Sequence, residues 1–273
     1  MKRKTISWRA VSLWTGGSLV ALAVCVGIFA PYLTPSDPLL INLDIRLSPP
    51  SLHYPLGTDQ MGRCVLSRLI MGTRTSLFYS MLALGAALSI SVPLGLLAGF
   101  AGGRTDRFIM RTIDMLLAFP SLILSIAITG LLGPSLANLL LAFVLVWWAG
   151  YARIVRGIVM QIKEKDFIMA ARSSGGSPTQ IVLRHILPNA ARPMLVLASL
   201  EIGTIMLSIS GLSFLGLGSQ PPTPEWGVML NDSRPYMQTI PRLMLYPGLA
   251  IMTVTIGFNL LGEGLRKRDR IET

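Results

Sequence analysis

Stretches free of ionised side chains divide the chain. Residues 10–36 (27 residues), 75–103 (29 residues) and 243–262 (20 residues) contain no Asp, Glu, Lys or Arg. Each reaches the roughly 20 residues a helix needs to cross about 30 Å of hydrocarbon, where charge is costly. Residues 115–152 are charge-free over 38 positions, too many for one crossing. Gly133-Pro134 near the middle is a strong breaker, so this run predicts two helices joined by a tight turn. Residues 190–217 carry Glu201 as their only acid. The pattern predicts an all-α integral membrane protein with six transmembrane helices, at about 11–33, 75–102, 111–132, 135–158, 190–216 and 242–264.

Composition agrees. Of the 273 residues 52% are hydrophobic and 14% charged, against about 25% charged in a soluble domain. Mean hydropathy is +0.60. These values argue against a soluble enzyme, a disordered chain and a collagen-like repeat. Two Cys exclude a disulfide framework, and two distant His, His53 and His185, argue against a His-built metal cluster.

The first apolar run follows Lys2, Arg3 and Lys4, as in a signal peptide, but it exceeds the 7–15 residues of a signal core and reads as an uncleaved anchor. With the N-terminus inside, 18 of the 24 Lys and Arg fall on cytoplasmic segments. That split predicts cytoplasmic N- and C-termini. It also accounts for a net charge of +11 without nucleic acid.

The longest cytoplasmic segment, residues 153–189, reads as two short helices around Ser173-Ser174-Gly175-Gly176. Ser177-Pro178-Thr179-Gln180 has the form of a capping box with Pro at the first helical position, and Leu187-Pro188 is expected to end the second helix. Ala170, Ala171, Gly175 and Gly176 leave the backbone nearly bare, so another surface can approach. Residues 218–241 face outward, with a short interfacial helix expected from Trp226, Met229 and Leu230. Leu66, Leu69 and Ile70 predict a second interfacial helix ahead of the second span, and Cys64 is expected to be reachable from outside. Gly95, Gly99, Gly102 and Gly103 read as helix-packing positions. No G-x-x-x-x-G-K-[ST], H-E-x-x-H or paired Cys is present, so no catalytic residues and no nucleotide site are assigned.

Ala170-Ala171, Gly175 and His185-Ile186-Leu187-Pro188 resemble the EAA loop of binding-protein-dependent ABC importer permeases, with Met169 where that family has Glu. Segments 55–63, 67–70, 213–218, 221–227 and 258–266 resemble the dipeptide/oligopeptide/nickel branch, with Cys64 in place of its usual Asp. The stretch 195–203 with Met206 is most similar to the nickel permease subunit of the second-permease type.

The resemblance implies the type I ABC importer permease fold, arranged as an N-terminal span and outer loop (1–74), a core (75–265) with its coupling loop (about 160–189) and a basic tail (266–273). It implies a multi-pass chain of a prokaryotic cytoplasmic (inner) membrane and no enzyme activity in this chain. The implied partners are a second homologous permease, two ABC ATPase subunits holding ATP and Mg, an extracytoplasmic substrate-binding protein and membrane lipid, with no cofactor in this chain and no nucleic acid. Coupling to the ATPase falls to Ala170, Ala171, Gly175, Gly176, His185, Leu187 and Pro188. Glu201 and Met206 are candidates for the translocation path, with no fixed metal site. Asp59, Arg63, Glu225 and Trp226 are candidates for binding-protein contact or an outer gate. The expected cargo is nickel or a nickel chelate. The alternative is a dipeptide or oligopeptide carried by the same mechanism, and an ion-driven secondary transporter is the distant alternative.

Overall fold

The computed structural model describes residues 8–266. Lys2, Arg3, Lys4 and the tail beyond Arg266 lie outside the described residues. Ten α-helices account for nearly all regular structure: α1 Trp8–Leu33, α2 Val65–Ala101, α3 Gly103–Leu117, α4 Ser121–Leu132, α5 Leu136–Lys163, α6 Asp166–Ser173, α7 Pro178–Ile181, α8 Leu187–Phe214, α9 Trp226–Ser233 and α10 Arg242–Leu265. One isolated antiparallel bridge joins Thr58 to Cys64.

Five helices are long and apolar enough to cross a membrane, and the pair α3–α4 makes a sixth crossing if taken together. The second span begins ten residues earlier than the charge-free run suggests. The segment holding Leu66, Leu69 and Ile70 is the first turns of α2, not a separate interfacial helix. No Pro or paired Gly interrupts residues 65–75, and the charge of Arg68 is met inside the protein.

The third expected span, 111–132, is not one straight helix. α3 and α4 meet at 77° across residues 118–120. Pro120 supplies no N–H, and the last turn of α3 closes on itself through Ala118 N–H to Asp114 O at 3.0 Å. α4 has 12 residues, roughly 18 Å, and does not cross unaided.

Two packing seams organise the bundle. α2 lies against α5 where Gly95 and Gly99 allow close approach: a Cβ at Gly99 would fall 2.8 Å from Val159 Cβ. Ser91 Oγ adds a bond across that seam to Trp148 O at 2.8 Å. α1 lies against α10, with Arg9 Nε donating to Gly264 O at 2.9 Å. α8 then packs on α10, where Gly203 meets Thr255. Gly102 and Gly103 do no packing. A Cβ on either meets nothing within 4 Å, and their φ of 66° and 59° turn the chain from α2 into α3.

The largest apolar core draws on α2, α5, α8, α9 and α10, with Phe143, Ile205, Ile209 and Trp226 among its buried members. α9 is part of that core and does not lie on the membrane surface. Cys64 is buried beside α2 and is not reachable as expected, while Cys25 lies on the exposed apolar flank of α1.

Candidate coupling loop and translocation site

At one end of the bundle, α5 leads through Glu164 and Lys165 into α6, and Gly175 at φ 80° reverses the chain. An L side chain in that conformation costs roughly 1–2 kcal/mol, and no heavy atom lies within 4 Å of where a Cβ would be. Gly175 is therefore bare, exposed backbone. Gly176 instead packs inward: a Cβ there would fall 2.8 Å from Ala171 O. The capping box is present: Gln180 N–H donates to Ser177 Oγ at 3.3 Å and Ser177 N–H to Gln180 Oε1 at 3.2 Å. Ile168, Ile181 and Ile186 are buried against Val155, Val159 and Ile162 of α5, so the loop is held to the bundle while Ala170 stays exposed and Ala171 half-buried.

Leu187-Pro188 does not end the helix that carries His185. α7 continues through one π-helical turn, Val182–Ile186, directly into α8. The wider turn accommodates Pro188, whose missing N–H falls in the first turn of α8. Asn189 Nδ2 donates to His185 O at 2.7 Å and satisfies a carbonyl there. Leu187 is half-buried and Pro188 exposed.

Glu201 stands at the middle of the 28-residue α8. It is half-buried, and Tyr151 of α5 donates its hydroxyl to Glu201 Oε2 at 3.1 Å. Tyr151 is itself buried, and Trp147 one turn earlier stacks on Phe143 at 4.3 Å. Met206 does not share this position. It is 0% exposed, packed in the core.

At the opposite end, buried Asp59, Arg63 and Arg68 and half-buried Asp232 form one ion-pair node. Arg63 Nε lies 2.7 Å from Asp59 Oδ2, and its Nη2 lies 3.2 Å from Asp232 Oδ2. Arg68 Nε is 3.4 Å from Asp59 Oδ2, and its Nη1 donates to Pro222 O at 3.2 Å. Asp59 Oδ1 also accepts the N–H groups of Met61 and Arg63 at 2.9 and 3.0 Å. Two arginines and two aspartates thus tie the loop before α2, the start of α2 and the end of α9 together.

Glu225, 0% exposed, caps α9 by accepting from Gly227 N–H at 2.9 Å and Val228 N–H at 3.0 Å. Ser76 Oγ of α2 donates to its Oε1 at 3.1 Å. Burial pushes the Glu225 carboxyl above the usual carboxylate range, opposed by those N–H and hydroxyl donors. Trp226, 1% exposed, lies on Gly72 and donates from its indole to Leu69 O at 3.1 Å. Asp59, Arg63, Glu225 and Trp226 are thus buried in this structure and tie α2, the loop before it and α9 together at this end of the bundle.

The sequence reading missed Tyr151, Arg68, Asp232 and Ser76. An Arg inside the apolar face of α2 was the legible signal for Arg68. Nothing local marks Tyr151 or Asp232, whose partners lie 50 and 169 residues away.

Residues 91–268 match the family described as binding-protein-dependent transport system inner membrane component. A dipeptide transport system permease protein of Alkalihalophilus pseudofirmus is 44% identical over 248 residues, covering 91% of this chain and 82% of the relative. A nickel transport system permease protein of Escherichia coli is 42% identical, covering 91% and 90%. A glutathione transport system permease protein of Pectobacterium atrosepticum is 41% identical, covering 92% and 83%. In fold the chain resembles the inward-facing MetNI methionine ABC transporter, with a TM-score of 0.56 at 17% identity over 72% of this chain and 94% of that one.

Proposed function

Because the chain belongs to the binding-protein-dependent transport system inner membrane components, we propose that it forms half of the translocation pathway of an ATP-driven importer for nickel or a nickel chelate. It is an ABC importer permease subunit, multi-pass in the inner membrane. The cargo reading rests on Glu201, an acid held at mid-helix in α8 by Tyr151. A carboxylate at that depth is costly facing lipid and is at home facing a water-filled path. Among the described residues no three His, Cys, Asp or Glu gather as metal ligands, so the contact would be a passing one. Carboxylate oxygen suits such a weak encounter with a divalent cation.

Dipeptide or oligopeptide import is the second reading, favoured by the dipeptide and glutathione permeases among the relatives. A peptide's terminal ammonium would meet the same carboxylate. In either case the bare backbone around Gly175 suits docking on an ATPase subunit from the cytoplasm, and ATP with Mg belongs to two such subunits. A second permease completes the path, and an external binding protein delivers cargo.

Glu201→Gln keeps shape and hydrogen-bonding capacity while removing charge. Uptake of labelled nickel should fall about tenfold, the effect of roughly 1.4 kcal/mol, with dipeptide uptake unchanged. Unchanged nickel uptake would overturn the nickel reading. A loss confined to dipeptides would replace it with the second.

A further inference from the structure

α3 is the element that transport leaves without a task. It carries five ionised side chains in 15 residues: Arg104, Asp106, Arg107, Arg111 and Asp114. Both acids are engaged by α5. Asp106 accepts two bonds from Arg156, each 2.6 Å, and Asp114 is ion-paired with Arg153. Along α3 these acids are roughly 12 Å apart, whereas their partners are roughly 4.5 Å apart along α5. α3 therefore crosses α5 steeply, in keeping with its 77° angle to α4. It follows directly on the end of α2, at the edge of the apolar bundle.

With Asp106, Ile109 and Ile113 turned inward, the opposite arc of about 100° holds Arg104, Arg107, Phe108, Arg111 and Met115. All five are exposed, Phe108 at 73% and Met115 at 65%. None of these three arginines has a carboxylate partner among the described residues. Arg107 Nε reaches only Gly103 O, at 3.3 Å.

We infer that this arc binds an anionic phospholipid, its phosphate against the guanidinium groups and its acyl chains against Phe108 and Met115. The three charges call for an anion, and the interleaved Phe108 and Met115 call for an apolar neighbour. An amphipathic helix whose exposed face interleaves cations with apolar side chains finds both in one anionic lipid molecule. An acidic hydrophilic surface would satisfy the charges and set Phe108 and Met115 against polar groups.

Native mass spectrometry of the purified permease with added phosphatidylglycerol or phosphatidylcholine tests this directly. The wild type should retain phosphatidylglycerol at least about tenfold better, less so as salt rises. The triple variant R104Q/R107Q/R111Q should lose that preference, and R107Q or R111Q alone should each weaken it about fivefold, which keeps the test open if the triple variant misfolds. Equal retention of the two lipids by the wild type, or an unchanged preference in the arginine variants, would overturn the inference. So would a triple variant that keeps its lipid preference but no longer co-purifies with its ATPase, since the arc would then serve an acidic protein.

Discussion

Asp59 gathers four side-chain interactions at its end of the bundle. One oxygen takes two backbone N–H groups and the other faces Arg63 and Arg68. Asp59→Asn keeps the shape but leaves two buried guanidinium groups sharing Asp232. Removing one member of a buried ion pair costs roughly 3–5 kcal/mol. The variant should lose about that much stability, read as a lower unfolding temperature of the detergent-solubilised permease. An unchanged transition would mean that the node is a geometric coincidence. The node's members come from three places in the chain, and only their individual oddity, charges beside apolar runs, was legible beforehand. Met206 shows the opposite limit. An apolar side chain near Glu201 reads equally well as path or core, and packing alone places it in the core.

Among the elements, those marked by a local breaker were legible and those set by backbone accommodation were not. Gly133-Pro134 announces the turn between α4 and α5, and Ser177 with Gln180 announces the start of α7. Pro120 sits inside a run without charges, where hydropathy cannot register a bend. Leu187-Pro188 reads as a stop, yet the π turn absorbs it and joins the proposed coupling loop to Glu201 in one continuous helical rod. A π turn holds one residue more than the α-helix would, so deleting Leu183 should leave a foldable, uninterrupted helix. It should also rotate the coupling loop relative to α8. Expression and detergent stability should stay near wild type while ATP-driven uptake falls at least about tenfold. Normal uptake would show that the turn has no part in coupling.

On the scale of the whole molecule five helices are long and apolar enough to cross, the bent pair makes a sixth if taken together, and side-specific labelling fixes which way the chain faces. Cys64 is buried and Cys25 lies on the apolar flank of α1, so a membrane-impermeant maleimide should label neither in intact cells. Leu52, in the loop ahead of α2, is fully exposed. Leu52→Cys should label from outside if the termini are cytoplasmic, and only in inside-out vesicles if the orientation is reversed.

The node at Asp59 has a further consequence for such experiments. Its two cations and two anions cancel and are largely shielded from solvent, so dissolved ions have little to screen there. The α3 arc stands open with its charge unbalanced. Added salt is then a reagent with an address: it can loosen what gathers at one face of the membrane while the node at the other face holds.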